Sequence, residues 1–346
     1  MSDSNADLSN LSTKLKAASL PKDLFDRVNS RLDQLTKLID SSTFLPELDR
    51  INNYIDWITN LPWNKKTQDI LDLEYAKKVL DKNHFGLTEV KERIAEYISV
   101  LKLKGATSKD IARAPILCFV GLVGTGKTTI AYSIAEALGR KIARIPFGGM
   151  GDPLDLRGQS RMHPEAEPGK VIKALRNAES RNPVILLDEI DRVTDQGRAS
   201  IMGVLVELLD PGQNYAFTDH YIDYPFDLSE VLFIATANNT TNIATAVLDR
   251  LEPLTMPSYT DQEKIMIARS FALPKAMKIA GLTDDTLSFD ENVWPQIVRP
   301  LGFDAGIRTL ERTIDGVVRK VAKQIVEGKV KSVKITPLNV KEYLPQ

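Results

Sequence analysis

Two periodicities divide the chain. Up to about residue 101, apolar residues recur every three or four positions. Leu24, Phe25, Val28, Leu32 and Leu35 predict a helix from Pro21 to about Leu38. Leu48, Ile51, Tyr54, Ile55 and Ile58 predict a second over about Leu45–Leu61, ended by Pro62-Trp63-Asn64. Asp72–Leu80 and Thr88–Leu101 predict two further amphipathic helices, separated by Asn83-His84-Phe85-Gly86, and no glycine precedes Gly86. Residues 1–18 are polar and predict a disordered end. Residues 19–82 therefore read as a helical scaffold or interaction segment.

From about residue 114 the pattern changes to short apolar runs. Ile116–Val120, Ile142–Phe147, Val184–Asp188, Val231–Ala237 and Leu251–Met256 read as strands alternating with helices or loops. Such alternation predicts an α/β domain over 83–258, its parallel five-stranded sheet covered on both faces. Strands that end in polar residues place them at the carboxyl edge, where open α/β sheets bind ligands. After Pro257, Asp261–Phe271, Asp290–Val298 and Gly306–Glu327 predict a helical domain over 259–346, with a small strand at Val333–Ile335.

Composition narrows the class of protein. The 346 residues allow two or three domains, and 43% hydrophobic with 26% charged residues is ordinary for a soluble globular chain. A net charge of −1 offers no global attraction to nucleic acid or an anionic membrane. Cys118 is the only cysteine, which excludes a zinc or disulfide framework and predicts a buried thiol in a reducing compartment. The amino-terminal residues lack the basic and apolar regions of a signal peptide, and no apolar run approaches the roughly 20 residues that span a bilayer. These features predict a cytoplasmic protein with no membrane partner.

The candidate chemistry begins at Gly121-Leu122-Val123-Gly124-Thr125-Gly126-Lys127-Thr128, between a predicted strand and a predicted helix closed by Gly139. That context is the one a phosphate-binding P-loop requires. Its glycines let backbone N–H groups face a polyphosphate, and the helix start adds its positive dipole end. Lys127 is expected to neutralise the β- and γ-phosphates and Thr128 to offer its hydroxyl to Mg²⁺. Val184-Ile-Leu-Leu-Asp188-Glu189 brings two carboxylates to a strand tip. Asp188 is expected to hold Mg²⁺ through its water shell, and Glu189 to act as general base on the attacking water. Asn238 ends a third apolar strand, where it either orients the lytic water or simply forms a turn.

These parts resemble the AAA+ ATPases, and within them the Lon family of ATP-dependent proteases. The resemblance is carried by Asn53-Tyr-Ile-Asp-Trp-Ile-Thr-Asn-Leu-Pro-Trp63, His84-Phe-Gly-Leu-Thr-Glu-Val-Lys-Glu-Arg93, Leu209-Asp-Pro-Gly-Gln-Asn214 and Phe217-Thr-Asp-His-Tyr-Ile-Asp223. Pro225-Phe-Asp-Leu-Ser229, Val247-Leu-Asp-Arg250 and Gly306-Ile-Arg-Thr-Leu-Glu-Arg312 extend it to the carboxyl-terminal domain. It implies an AAA+ P-loop NTPase fold with a helical lid, ATP and Mg²⁺ as ligands, and a homo-hexameric ring acting on unfolded or misfolded proteins. By that resemblance Asn238 matches sensor 1, Arg250 the arginine finger that reaches a neighbouring subunit, and Arg308 sensor 2 on the lid.

One departure stands out. The aromatic–aliphatic pair by which the family grips polypeptide in its pore falls on His163-Pro164, followed by Glu165 and Glu167. Proline stiffens this loop and the glutamates charge it, so a weakened grip with ATP hydrolysis retained is expected. No Ser–Lys peptidase motif of the family is found, and Tyr343-Leu-Pro-Gln346 resembles the hinge into that domain; proteolysis is therefore expected to lie outside these residues. The competing reading is a stand-alone AAA+ ATPase that remodels a partner complex without threading it. A nucleic-acid motor is disfavoured by the near-zero charge and the lack of a basic, aromatic-interleaved stripe.

Overall fold

The computed structural model of the chain describes residues 2–105, 116–299 and 306–344. It opens with five helices: α1 (Ser2–Ala17), α2 (Lys22–Thr36), α3 (Phe44–Thr59), α4 (Leu73–Asn83) and α5 (Thr88–Gly105). The first corrects the expectation of a disordered end. Leu8, Leu11 and Leu15 repeat at helical spacing within the polar segment, and all three are buried with Leu24, Val28 and Ile55. One narrow apolar stripe is enough to dock a helix whose other faces are polar.

The α/β part runs β1 (Ile116–Val120), α6 (Lys127–Leu138), β2 (Ile142–Pro146), α7 (Leu154–Arg157), α8 (Lys170–Ala178), β3 (Val184–Asp188) and α9 (Arg198–Leu209). It continues through a small hairpin, β4 (Phe217–Thr218) and β5 (Pro225–Phe226), then β6 (Leu232–Ala237), α10 (Thr245–Leu248) and β7 (Leu251–Thr255). The main sheet is five-stranded and parallel in the order β2-β3-β6-β1-β7. Alternation along the strands serves two cores. Leu117, Phe119, Val184, Leu186 and Ile234 face α4, α5 and α6, whereas Cys118, Ile185, Leu187 and Phe233 face α8 and α9. The central strands β1, β3 and β6 are buried on both faces and are nearly continuous apolar runs, whereas the edge strands β2 and β7 admit Arg144 and Glu252. The second core also takes in α1, α2 and α3. Helix α4, by contrast, lies with α6 in the first, through Ala76, Val79 and Leu80.

The carboxyl-terminal helices are α11 (Asp261–Ile267), α12 (Leu273–Ala280), α13 (Trp294–Val298), α14 (Arg308–Val326) and α15 (Val340–Tyr343). The first two form one rod through a π-turn at Ala268–Ala272 that ends at Gly281 (φ 69°), well past the predicted stop at Phe271. Pro274 lacks an N–H for the helical ladder, and widening the preceding turn accommodates it. The strand predicted at Val333–Ile335 is β9, and it finds a parallel partner in β8 (Leu287–Phe289). Among the described residues no helix is long and apolar enough to cross a membrane.

His84 locks the turn between α4 and α5 onto α6. It is buried, and its Nε2 lies 2.9 Å from Ser133 Oγ. Burial, aided by the charge of Lys91, pushes the ring's pKa down from 6.5 to about 4. The neutral ring's contribution is therefore complete above pH 6.5 and is lost as the pH falls toward 4. Over that window the wild-type protein should lose about 3 kcal/mol more stability than His84→Gln, measured by urea denaturation at each pH. Parallel profiles for the two proteins would contradict the assignment.

Candidate nucleotide site

The loop between β1 and α6 is shaped by close contacts. The Gly121 N–H donates to Ala237 O at 3.1 Å, and a Cβ at Gly121 would lie 2.8 Å from Met256 O. Gly124 (φ 84°) and Gly126 (φ 94°) hold left-handed conformations that side chains disfavour. Among the described residues, no N–H from Leu122 to Gly126 donates to an acceptor. A run of free N–H groups leading into a helix start is an anion-binding nest.

Lys127 is buried at its base. Its Nζ donates to Gly121 O (2.6 Å), Leu122 O (2.9 Å) and Asn238 Oδ1 (3.2 Å). Burial lowers its pKa, and the charges of Asp191, Glu189 and Asp188 work against that. The other amide atom of Asn238, Nδ2, is buried without a partner among the described residues. A buried donor beside a lysine costs free energy unless an acceptor comes to it. The site therefore suits a ligand rich in anionic oxygens.

Asp188 joins three elements at the tip of β3. Its Oδ1 accepts from Thr128 Oγ1 on α6 (3.2 Å) and from Thr236 Oγ1 on β6 (2.5 Å). Its Oδ2 accepts from Arg144 Nε on β2 (2.7 Å). A hydroxyl and a carboxylate are hard oxygen donors, as Mg²⁺ prefers. Among the described residues no group of three or more His, Cys, Asp or Glu forms a metal cage. A Mg²⁺ ion held by these two oxygens would draw its remaining ligands from phosphate and water. Glu189 follows in a left-handed conformation (φ 57°), rare for a side-chain-bearing residue, its N–H held by Thr236 Oγ1 at 2.9 Å. Strain of this kind persists where surrounding contacts over-determine the backbone, as Thr236 does here.

Sequence reading missed Arg144, Thr236 and Asp191. Asp191 is buried and accepts from the N–H groups of Asn238 (3.1 Å) and Asn239 (3.4 Å), so it fixes the sensor-1 candidate. The available signals were an arginine inside the apolar strand Ile142–Pro146 and a threonine two residues before Asn238, on the same strand face.

The two expected arginines lie in different places. Arg308 opens α14 against the loop: the Ile307 N–H donates to Gly124 O at 3.0 Å, and a Cβ on Gly306 would come 2.4 Å from Val123 O. Its guanidinium is exposed, makes no hydrogen bond or ion pair among the described residues, and bears electrostatically on Lys127. Arg250 instead donates to Asp210 Oδ2 and Ala246 O, both at 2.7 Å. Arg250 and the Gly212 N–H hold the Asp210 carboxyl below its ordinary range. Leu251 pairs with Ile116, so Arg250 stands at the amino-terminal end of β1. About 17 Å of strand separates that end from the loop after Val120.

The loop bearing His163-Pro164 is folded by backbone hydrogen bonds Gln159 N–H to Glu167 O (3.1 Å), His163 N–H to Ser160 O (3.0 Å) and Ala166 N–H to His163 O (3.2 Å). Arg161 ties it to α3, its guanidinium 3.9 Å from the Tyr54 ring centre.

A P-loop, a buried acid at the neighbouring strand tip and a helical lid seated on the loop, all on a parallel five-stranded sheet, define an AAA+ ATPase. Residues 117–257 match the ATPase family associated with various cellular activities (AAA), and residues 278–333 match the Lon protease AAA+ ATPase lid domain. Lon protease 2 of Thermus thermophilus is 43% identical over 338 residues, covering 96% of this chain and 42% of that protein. The Lon proteases of Halothermothrix orenii (42% over 331 residues, 96% of this chain, 41% of that protein) and Endomicrobium trichonymphae (43% over 343 residues, 98% and 41%) are similar. The chain belongs to the Lon family, as a Lon-type AAA+ ATPase module. It spans about two-fifths of the length of these relatives.

Thr236 is the support on which Asp188 and the Glu189 N–H both lean. Thr236→Val keeps the shape and leaves both buried groups one partner short, so it should cost roughly 1–3 kcal/mol in urea denaturation. A loss below about 0.5 kcal/mol, the range of neutral surface changes, would contradict this reading.

Proposed function

We propose that this chain binds Mg²⁺–ATP at the loop Gly121–Thr128 and hydrolyses it between neighbouring copies in a homo-hexameric ring, driving the unfolding and translocation of polypeptide. The observation that carries the nucleotide part is the unpartnered Asn238 Nδ2 beside Lys127 at the end of a row of free N–H groups. The loop N–H groups and Lys127 bind the phosphates. Thr128 and Asp188 would hold Mg²⁺, partly through water, which would supply positive charge to the phosphate oxygens. Glu189 takes the proton of the attacking water, and Asn238 orients that water or the γ-phosphate. Arg308, on the lid and without a hydrogen bond or ion pair among the described residues, binds the γ-phosphate and couples its presence to the lid's angle.

Arg250 stands at the wrong end of β1 to reach its own loop, which supports a role on a neighbour's nucleotide. Such fingers raise the rate by about 10³–10⁵ in other NTPases. The relatives matched here are named Lon proteases; from that we infer unfolded or misfolded protein as the substrate. A second reading, an ATPase that remodels a partner complex without threading it, is favoured by the hydrogen-bonded His163-Pro164 loop with its missing aromatic pair.

ATP turnover per subunit, measured with and without casein across protein concentrations, tests both readings. Turnover should rise with concentration and with casein, and Arg250→Ala should flatten the concentration curve while ATP binding persists. A rate per subunit independent of concentration would overturn catalysis between copies. Turnover indifferent to casein would overturn the unfoldase reading in favour of partner remodelling.

A further inference from the structure

A cleft of about 660 Å³ lies between α2, α3 and the loop bearing His163-Pro164, away from the nucleotide site. That volume falls in the roughly 300–1,000 Å³ range of ligand sites. Four arginines line it, Arg27 and Arg31 on α2, Arg50 on α3 and Arg161 on the loop, against two carboxylates, Glu47 and Asp223. Each carboxylate is already shared. Arg31 (3.3 Å) and Arg50 (3.0 Å) contact Glu47, and Arg27 (3.4 Å) and Arg161 (3.5 Å) contact Asp223. Four guanidiniums, each with five N–H donors, thus surround two carboxylates, leaving two positive charges and many donors facing the cleft. The chain as a whole carries −1, so this concentration of positive charge is local.

The remaining walls are apolar: Val28 and Ile51 below, Tyr54 beneath the Arg161 guanidinium, and the exposed Met162 and Pro164 above. Arg27 and Arg31 are one helical turn apart, about 6 Å along the axis of α2. Side chains at alternate positions of an extended peptide are about 6.6 Å apart on one face, with the intervening residues on the other. We propose that this cleft binds an extended polypeptide segment in which acidic residues alternate with apolar ones, the acids meeting Arg27 and Arg31 and the apolar side chains meeting the opposite wall. The site deepens the unfoldase reading by giving the substrate a docking point, and it rests on that reading only for the use made of the bound segment. A polyphosphate or nucleic acid would satisfy the arginines and leave the apolar walls unused.

The test is fluorescence anisotropy of a fluorescein-labelled peptide alternating glutamate with phenylalanine, alongside versions with lysine for glutamate and with serine for phenylalanine. The wild-type protein should bind the first peptide and neither of the others. The double variant Arg27→Glu/Arg31→Glu should bind it about tenfold more weakly and gain affinity for the lysine peptide, a reversal that a misfolded protein could not show. Unchanged binding in the double variant would overturn the proposal. Equal binding of the serine peptide, displaced by inorganic polyphosphate, would replace it with a polyanion site. Peptide binding without stimulation of ATP turnover by casein would leave this site standing and remove the unfoldase reading. Casein stimulation without peptide binding would do the reverse.

Discussion

A carboxylate taken out of water must find donors, and at the tip of β3 the donors come from three different elements. Asp188 is 3% exposed and accepts from Thr128 on α6, Thr236 on β6 and Arg144 on β2. Leaving such a charge unpaired would cost several kcal/mol. The need to satisfy it therefore ties the start of the P-loop helix to the neighbouring strands. Thr236 passes the constraint on by also holding the Glu189 N–H, and close by Asp191 separately holds the N–H groups of Asn238 and Asn239. The phosphate loop, the general-base candidate and the sensor candidate are thus positioned by two adjoining sets of hydrogen bonds at the tips of β3 and β6.

The direction of the sheet decides what else can reach that network. All the strands of the main sheet are parallel, so the loop after β1, the tip of β3 and the tip of β6 share one edge. Arg250 precedes β7 and is left at the other edge, held there by Asp210. The lid reaches the loop from above, where Gly124 and Gly306 let two backbones meet without side chains between them. A single chain therefore carries a loop that its own lid touches and an arginine that its own loop does not. This arrangement suits a site completed by a neighbour.

Much of this was legible in the amino-acid order, and the exceptions have physical causes. The strands and the P-loop could be read because the central strands, buried on both faces, need nearly uninterrupted apolar runs, and a phosphate loop needs glycine where the backbone turns left-handed. Arg144 and Thr236 could not be assigned, because their partner depends on strand order: β2 and β6 flank β3 only in the folded sheet. Helix α1 was hidden by its polar composition, although three leucines suffice to bury one face. The rod through α11 and α12 was cut short because a proline reads as a stop, whereas a π-turn absorbs it. The partner of β9 was equally out of reach, since Leu287–Phe289 is too short to announce itself as a strand.

On the proposed reading Asp188 helps to hold Mg²⁺ at the nucleotide loop, so that ATP binding depends on the ion. Isothermal titration of ATP into the wild-type protein and Asp188→Asn, each with Mg²⁺ and with EDTA, tests it directly. The account predicts that Mg²⁺ tightens ATP binding in the wild-type protein by about tenfold or more, and that the two affinities converge in Asp188→Asn. An equal gain from Mg²⁺ in both proteins would contradict it.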